Sequence, residues 1–343
     1  MARLRRFFKR TEATILISSV ALFVLFAIID RQGWFNFFTV RNVTRYIAFL
    51  GLATIGQTLL ILAKEIDLSV GSVYGLVGVA FVSFQPFLGV PLSFGVSLIL
   101  AAAVGLLNAA LVLKGKLPSM LVTLGALFFY RGVIYVTTGG TVRSFTAETE
   151  SHWLVQLFGG NWLFGLENGF WWFLVAVAFF TYILFRRPYG NQLLAIGGHA
   201  ESAESRGVHV EKTKAIAFVL SSVLAGLAGL VTLAHEPRTN VTIGQDMEME
   251  TIAAAVIGGV LLTGGRGSIL GAALGVFFLT AVRSELITMG APSSWYTAFV
   301  GLLLVVAAVV ITAIQRRVVA PHRRSDRQET AAEKVMNNAT HPP

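Results

Sequence analysis

Apolar positions in this chain run in long blocks and do not alternate with polar ones. A helix needs roughly 20 apolar residues to cross a hydrocarbon core, because unpaired backbone groups are not tolerated in lipid. On that template the sequence predicts ten spans. They are Ala13–Ile29, Tyr46–Ala63, Ile66–Phe84, Leu92–Leu113, Leu117–Val136, Phe170–Phe185, Ala215–Ala234, Thr251–Thr263, Ser268–Ile287 and Trp295–Ile314. The eighth is too short to cross as a straight helix, which predicts a tilt or a break at Gly258-Gly259 and Gly264-Gly265.

Charge supplies an orientation. With the N-terminus inside, twenty of the 27 Lys and Arg fall in cytoplasmic segments and five outside, while Arg131 and Arg283 lie within spans. That is the asymmetry of the positive-inside rule, and an even span count puts both termini in the cytoplasm. The predicted organisation is therefore a basic N-terminus (1–12), a transmembrane domain (13–314) and a polar cytoplasmic tail (315–343). Loop 186–214 faces in. Thr137–Gly169, rich in aromatics (Trp153, Trp162, Phe164), is expected to lie on the outer membrane interface, and Glu236–Glu250 forms a shorter acidic outer loop.

Composition agrees with an all-α integral membrane protein. Hydrophobic residues make up 55% and charged residues 13%, with a mean hydropathy of +0.71, against roughly 25% charged in soluble domains. The excess of cations belongs to the cytoplasmic loops, so no nucleic-acid partner is implied. Cys is absent, which excludes disulfides and thiolate chemistry. No G-x-x-x-x-G-K-[ST] phosphate loop and no H-E-x-x-H occurs, so neither metal nor cofactor is expected. Carboxylates within spans are scarce, a poor set for proton coupling. The chain has no engine of its own.

Three segments rise above composition. Asp67 followed by Ser69 at the head of an apolar run suits a helix N-cap, and Gly71, Gly75 and Gly78 give small-residue spacing for close helix contact. In 186–214, Leu193, Leu194 and Ile196 lead to Gly197-Gly198, after which Ala200–Arg206 reads as a short helix ended by Gly207. Such a helix could dock in a partner's groove or merely connect two spans. From Glu248 to Ser268 the small residues allow tight packing or a broken helix lining a cavity. Arg131 either snorkels to the interface or belongs to a pathway. A weak internal echo, Gly71-Ser72-Val73-Tyr74-Gly75 against Gly267-Ser268-Ile269-Leu270-Gly271, suggests the repeats common in transporters.

Together these segments resemble the permease subunit of the ATP-binding-cassette importers for monosaccharides such as ribose, xylose and arabinose. The resemblance covers nearly all of 46–314. It rests on Gly56-Gln57 with Ile66-Asp67-Leu68-Ser69-Val70-Gly71-Ser72, and on Pro118 with Val122-Thr123-Leu124-Gly125, Arg131-Gly132 and Thr138-Gly139-Gly140. Ala195-Ile196-Gly197-Gly198 with Gly207-Val208 follows, then Glu248 with Ile252-Ala253-Ala254, Gly258-Gly259 and Gly264-Gly265-Arg266-Gly267. Lys64-Glu65 and His199 depart from the usual pattern and resemble the autoinducer-2 branch about as much as the sugar branch; Ala109 after Asn108, where Gly is usual, also departs.

The resemblance implies an importer permease in the bacterial inner membrane, working as a homodimer or a heterodimer with a paralogue. Its partners would be ATPase subunits, a periplasmic solute-binding protein and lipid. The ATPase would grip 186–214 through Gly197, Gly198, Ala203, Glu204 and Gly207. Gln57, Ser72, Asn108 and Arg131 are the expected polar positions along the pathway. Asp67, Ser69, Gly71, Gly258, Gly259, Gly264 and Gly265 are expected to serve the architecture. The rival reading is a stand-alone secondary transporter or channel. A membrane-embedded enzyme finds no clustered His, Asp or Cys to support it.

Overall fold

The computed structural model describes residues 36–292 and 294–307, with the isolated positions 20, 21, 23, 24, 28 and 309. The predicted N-terminus (1–12), most of the first predicted span, the end of the tenth and the tail (315–343) lie outside the described residues.

The first long helix, α1, spans Phe37–Leu62. It starts nine residues before the predicted span because Asn36 caps it, its side chain accepting the Phe38 N–H at 3.0 Å. After a turn at 63–69 comes α2, Val70–Leu113, which is bent at Gly89 (φ +70°, ψ 170°). The two predicted spans Ile66–Phe84 and Leu92–Leu113 are its two arms. Asn108 near one end donates to Ser69 at the other (3.0 Å), and Val77 and Ala101 both border Gly226, so the arms fold back as a helical hairpin. The reversal needs a backbone conformation that side chains rarely adopt, and Gly89 supplies it in open space.

The rest of the chain follows as α3 (Ser119–Thr138), α4 (Ala147–Ser151), α5 (Trp153–Gly159), α6 (Asn168–Arg186), α7 (Pro188–Gly198), α8 (Ala200–Glu204), α9 (Val210–His235), α10 (Met247–Ile257), α11 (Ile269–Thr288) and α12 (Ser294–Ala307). Two-residue strands β1 (Arg143–Ser144) and β2 (Arg238–Thr239) pair antiparallel and tie the segment after α3 to the segment after α9. Among the described residues, six helices are long and apolar enough to cross a membrane: α1, α2, α3, α6, α9 and α11.

Burial is graded as lipid solvent demands. α1 is the core, buried almost throughout its second half, and α9 packs along both α1 and the α2 hairpin. α3 and α6 present apolar side chains outward, including Phe128, Phe129, Val136, Val175 and Phe179. In water such a surface would be a liability; in lipid it costs nothing. The segment Thr137–Gly169, expected at the interface, folds into the β1 strand and the short helices α4 and α5, with Trp153, Trp162 and Phe164 exposed.

α10 carries the short eighth span. Eleven residues rise about 16 Å, half of a ~30 Å hydrocarbon core. The helix stops at Gly258, and a turn closed by Leu261 N–H to Arg266 C=O (3.0 Å) leads into α11, whose Ser268 caps Gly271 N–H at 3.0 Å. Before α10, the segment 236–246 dips into the bundle until Gly244 rests on the backbone of Gly71. A non-helical backbone at such depth is tolerated only where protein groups satisfy it.

Candidate functional site: a vestibule, a buried polar knot and an exposed handle

A cavity of about 950 Å³ opens at the end of the bundle where α1 and α6 begin and α9 and α11 end. Its lining runs down α1 from Asn36 to Phe49, about 20 Å at 1.5 Å per residue, roughly half the length of that helix. Tyr74, Ile243 and Phe49 lie among its deeper residues. We call it the vestibule.

Two charged clusters stiffen its walls. Glu167, just before α6, accepts from Arg41 Nε (3.0 Å) and Arg45 Nη2 (3.3 Å) and pairs with His235 Nδ1 at the end of α9. Burial by itself would raise the Glu167 carboxyl; the His235 hydrogen bond and the surrounding cations outweigh it and hold the group below the usual carboxylate range. Deeper, Arg283 of α11 lies between the rings of Tyr46 (4.0 Å) and Tyr296 (4.8 Å) and pairs with Glu250 at 3.2 Å. Tyr46 Oη also accepts from Arg283 and donates to Glu250 Oε2 at 3.0 Å. Each carboxylate is thus held by arginine, Glu167 by two and Glu250 by one. Toward the space stand the exposed side chains of Glu236 and Arg238, together with amides of Asn42 and Asn240, hydroxyls of Thr39, Thr242, Ser284 and Thr288, and aromatic faces.

Sequence reasoning singled out Arg283 only as a cation inside a span and missed both clusters. Arg41 and Arg45 lie near the start of α1 and Glu167 just before α6, and nothing in their spacing announces that they meet.

The expected pathway positions fall elsewhere. Gln57, Ser72 and Asn108 have no exposed surface within the chain. The Gln57 amide accepts from Asp67 N–H (3.3 Å) and donates to Asp67 C=O (3.1 Å). Ser72 donates to Leu127 C=O at 2.9 Å. Asn108 donates to Ser69 Oγ at 3.0 Å and accepts from Tyr130 Oη at 3.0 Å. Asp67 Oδ1 in turn accepts Ser69 N–H (2.8 Å) and Oγ–H (2.6 Å). Asp67 is therefore not the helix cap that its spacing suggested. Ser69 occupies that position without a capping bond, and Asp67 folds the turn. Leu68 N–H donates to Thr123 Oγ1 at 3.0 Å, so this knot locks α1, both arms of α2 and α3 together.

Arg131 neither snorkels nor faces the vestibule. Its Nη1 donates to Val241 C=O (2.9 Å) and Ile243 C=O (2.7 Å), supplying the donors that the re-entrant segment lacks. The glycines of the third motif serve close approach. Gly258 and Gly271 pack backbone to backbone between α10 and α11, and Gly259 begins the turn after α10.

At the opposite end of the bundle, 186–214 forms a handle. Pro188 opens α7, whose Leu193, Ile196 and Gly197 are buried, while Gly198 faces open space. α8 ends at Glu204, shorter than the sequence suggested, and the turn closes at Gly207 (φ +85°). Glu201, Glu204, Arg206 and Gly207 are exposed; Ala203 anchors the helix from beneath. The left-handed pair Gly264 (φ +80°) and Gly265 (φ +74°) lets Gly265 N–H reach Leu62 C=O at 3.0 Å, directly beside Gly197. Among the described residues no group of three His, Cys, Asp or Glu could hold a metal.

Over residues 39–308 the chain matches the family described as branched-chain amino acid transport system / permease component. The chain belongs to this permease family. The permease is 34% identical over 300 residues to the autoinducer 2 import system permease protein LsrC of Escherichia coli O9:H4 (strain HS), covering 87% of this chain and 86% of that one. The LsrC proteins of Shigella flexneri and Photorhabdus luminescens match at the same identity, covering 86% and 88% of their lengths. No solved structure matches the permease. It is a translocation subunit of an ATP-binding-cassette importer, a multi-pass protein of the inner membrane, and the resemblance seen in the sequence holds. The family implies ATPase and binding-protein partners.

Proposed function

We propose that the permease imports a small uncharged polyhydroxylated solute, a monosaccharide or a sugar-like molecule such as autoinducer 2. A periplasmic binding protein delivers it at the vestibule. The observation that carries this reading is the vestibule's chemistry: its lining carries charges of both signs, with Glu167 and Glu250 held by arginines, and hydroxyl, amide and aromatic groups face the space. Such a wall exchanges hydrogen bonds with water and sugar alike and binds weakly, as a passage should.

In this reading the handle lies in the cytoplasm and is gripped by an ATPase subunit through Gly198, Glu204 and Gly207, whose exposure supports it. ATP is hydrolysed by that subunit and not by the permease. The chain crosses ten times, with the first span ahead of α1, two arms in α2 and a half-depth passage in α10, and both termini are cytoplasmic. Two permease copies flank one pathway. The basic N-terminus and the polar tail stay outside the transmembrane domain.

The test is uptake by liposomes containing the permease with its ATPase, supplied with the binding protein and radiolabelled ribose, xylose, arabinose, autoinducer 2 or leucine. ATP-dependent uptake of one sugar-like solute and not of leucine is expected. Uptake of leucine alone refutes the assignment of solute class, and uptake without ATPase refutes the importer reading.

A further inference from the structure

Three elements converge on the end of α1 nearest the handle. Gly265 N–H donates to Leu62 C=O, Gly197 of α7 packs on the same carbonyl, and Lys214 in α9 reaches Glu65 in the 63–69 turn with Nζ–Oε1 at 2.5 Å. The first two contacts are backbone packing. The third is a charged pair between side chains only 15% and 12% exposed, and among the described residues it is the one ion pair at this end of the bundle. Lys214 lies five residues into α9, immediately after the handle; Glu65 lies two residues before Asp67 and hence at the edge of the buried knot.

We propose that Lys214–Glu65 is a strut that carries displacement of the handle into the α1–α2 turn, making these two residues positioning residues for coupling. The inference rests on the reading of 186–214 as the ATPase handle. Near Lys214, α9 meets α1 and α2 mainly through apolar contacts, which are non-directional, while its hydrogen bond to α2, Tyr74 Oη to Thr232 Oγ1 at 2.6 Å, lies near the far end of the helix. A partly desolvated ion pair resists sliding, because separation leaves both charges short of partners. Moving the first turn of α9 therefore drags the 63–69 turn. The knot then passes the movement to α2 and α3, whose Arg131 holds the re-entrant wall of the vestibule.

The chain contains no Cys, so paired labels are unambiguous. Phe38→Cys and Ile287→Cys place spin labels at exposed positions of the vestibule lining. In the permease–ATPase complex, nucleotide binding should change the distance between the labels. E65Q and K214M should each reduce that nucleotide-dependent change by roughly tenfold, with hydrolysis continuing. E65K/K214E should restore it. An unaltered nucleotide-dependent change in both single variants overturns the strut. So does a parallel loss of hydrolysis and distance change, which marks a merely structural pair, or failure of the swapped pair to restore. If the unmodified permease does not bind the ATPase at all, the handle reading itself falls and takes the strut with it.

Discussion

Adjacent glycines in the handle should respond to the same substitution in opposite ways. A Cβ on Gly197 would sit inside the 3.0 Å limit to Leu62 C=O and to Gly265 N, and 2.9 Å from Gly265 Cα. Every one of those atoms is backbone, so no side chain can rotate aside. Restoring ordinary contact at 3.4 Å or more requires α7 to withdraw by roughly 1.5 Å from Leu62 and by roughly 1 Å from the 264–265 turn, which strains the Gly265–Leu62 hydrogen bond as well. Overpacking of this kind costs about 1–3 kcal/mol, and rigid neighbours place Gly197→Ala at the upper end. A Cβ on Gly198 meets nothing within 4 Å. Gly198→Ala should be neutral or stabilising by up to ~1 kcal/mol through the unfolded state. The assay is the apparent melting temperature of the two purified variants in one detergent, measured in parallel with wild type. G197A should melt several degrees lower and G198A at or above wild type. Equal melting of the two variants would refute the packing argument.

Removing the re-entrant segment's donor should be nearly as damaging. Arg131→Met leaves Val241 and Ile243 carbonyls unpaired at membrane depth and should cost about 2–4 kcal/mol, read as lowered melting and faster proteolysis of 236–246. In the knot, Asp67→Ala loses the acceptor of two hydrogen bonds and should destabilise by about 2–3 kcal/mol, whereas Asp67→Asn keeps an acceptor oxygen and should cost less than half of that in the same melt. Glu167 titrates below its unfolded value, so its contribution is present above the ordinary carboxylate range and is lost as pH falls through its lowered folded value. Glu167→Gln should flatten the acid side of a stability–pH curve; an unchanged acid limb would remove Glu167 from the account. Arg283→Lys keeps the charge opposite Glu250 but loses the planar stack between Tyr46 and Tyr296, and should slow reconstituted uptake while leaving ATPase binding intact.

Much of the fold was legible because a bilayer imposes one rule on every apolar block. Span positions for α1, both arms of α2, α3, α6, α9 and α11 follow from length and hydropathy, and Gly207 announced the turn that ends the handle's short helix. The site was less legible. Gln57, Ser72 and Asn108 stand out in the sequence as polar residues within apolar runs, yet a polar residue there can equally face a pathway or another buried polar group. Here each is spent on the turn around Asp67, on α3 or on α2.

Read by itself, the chain determined a membrane protein, its helical segments and its family, because hydropathy and motif order are local properties of sequence. Only the tertiary structure decided that Arg131 feeds a re-entrant backbone, that Glu167 gathers two arginines and a histidine and that Lys214 reaches Glu65 across 149 positions. Those pairings depend on how helices are staggered in depth, and the periodicity of a single helix carries no record of its neighbour's register.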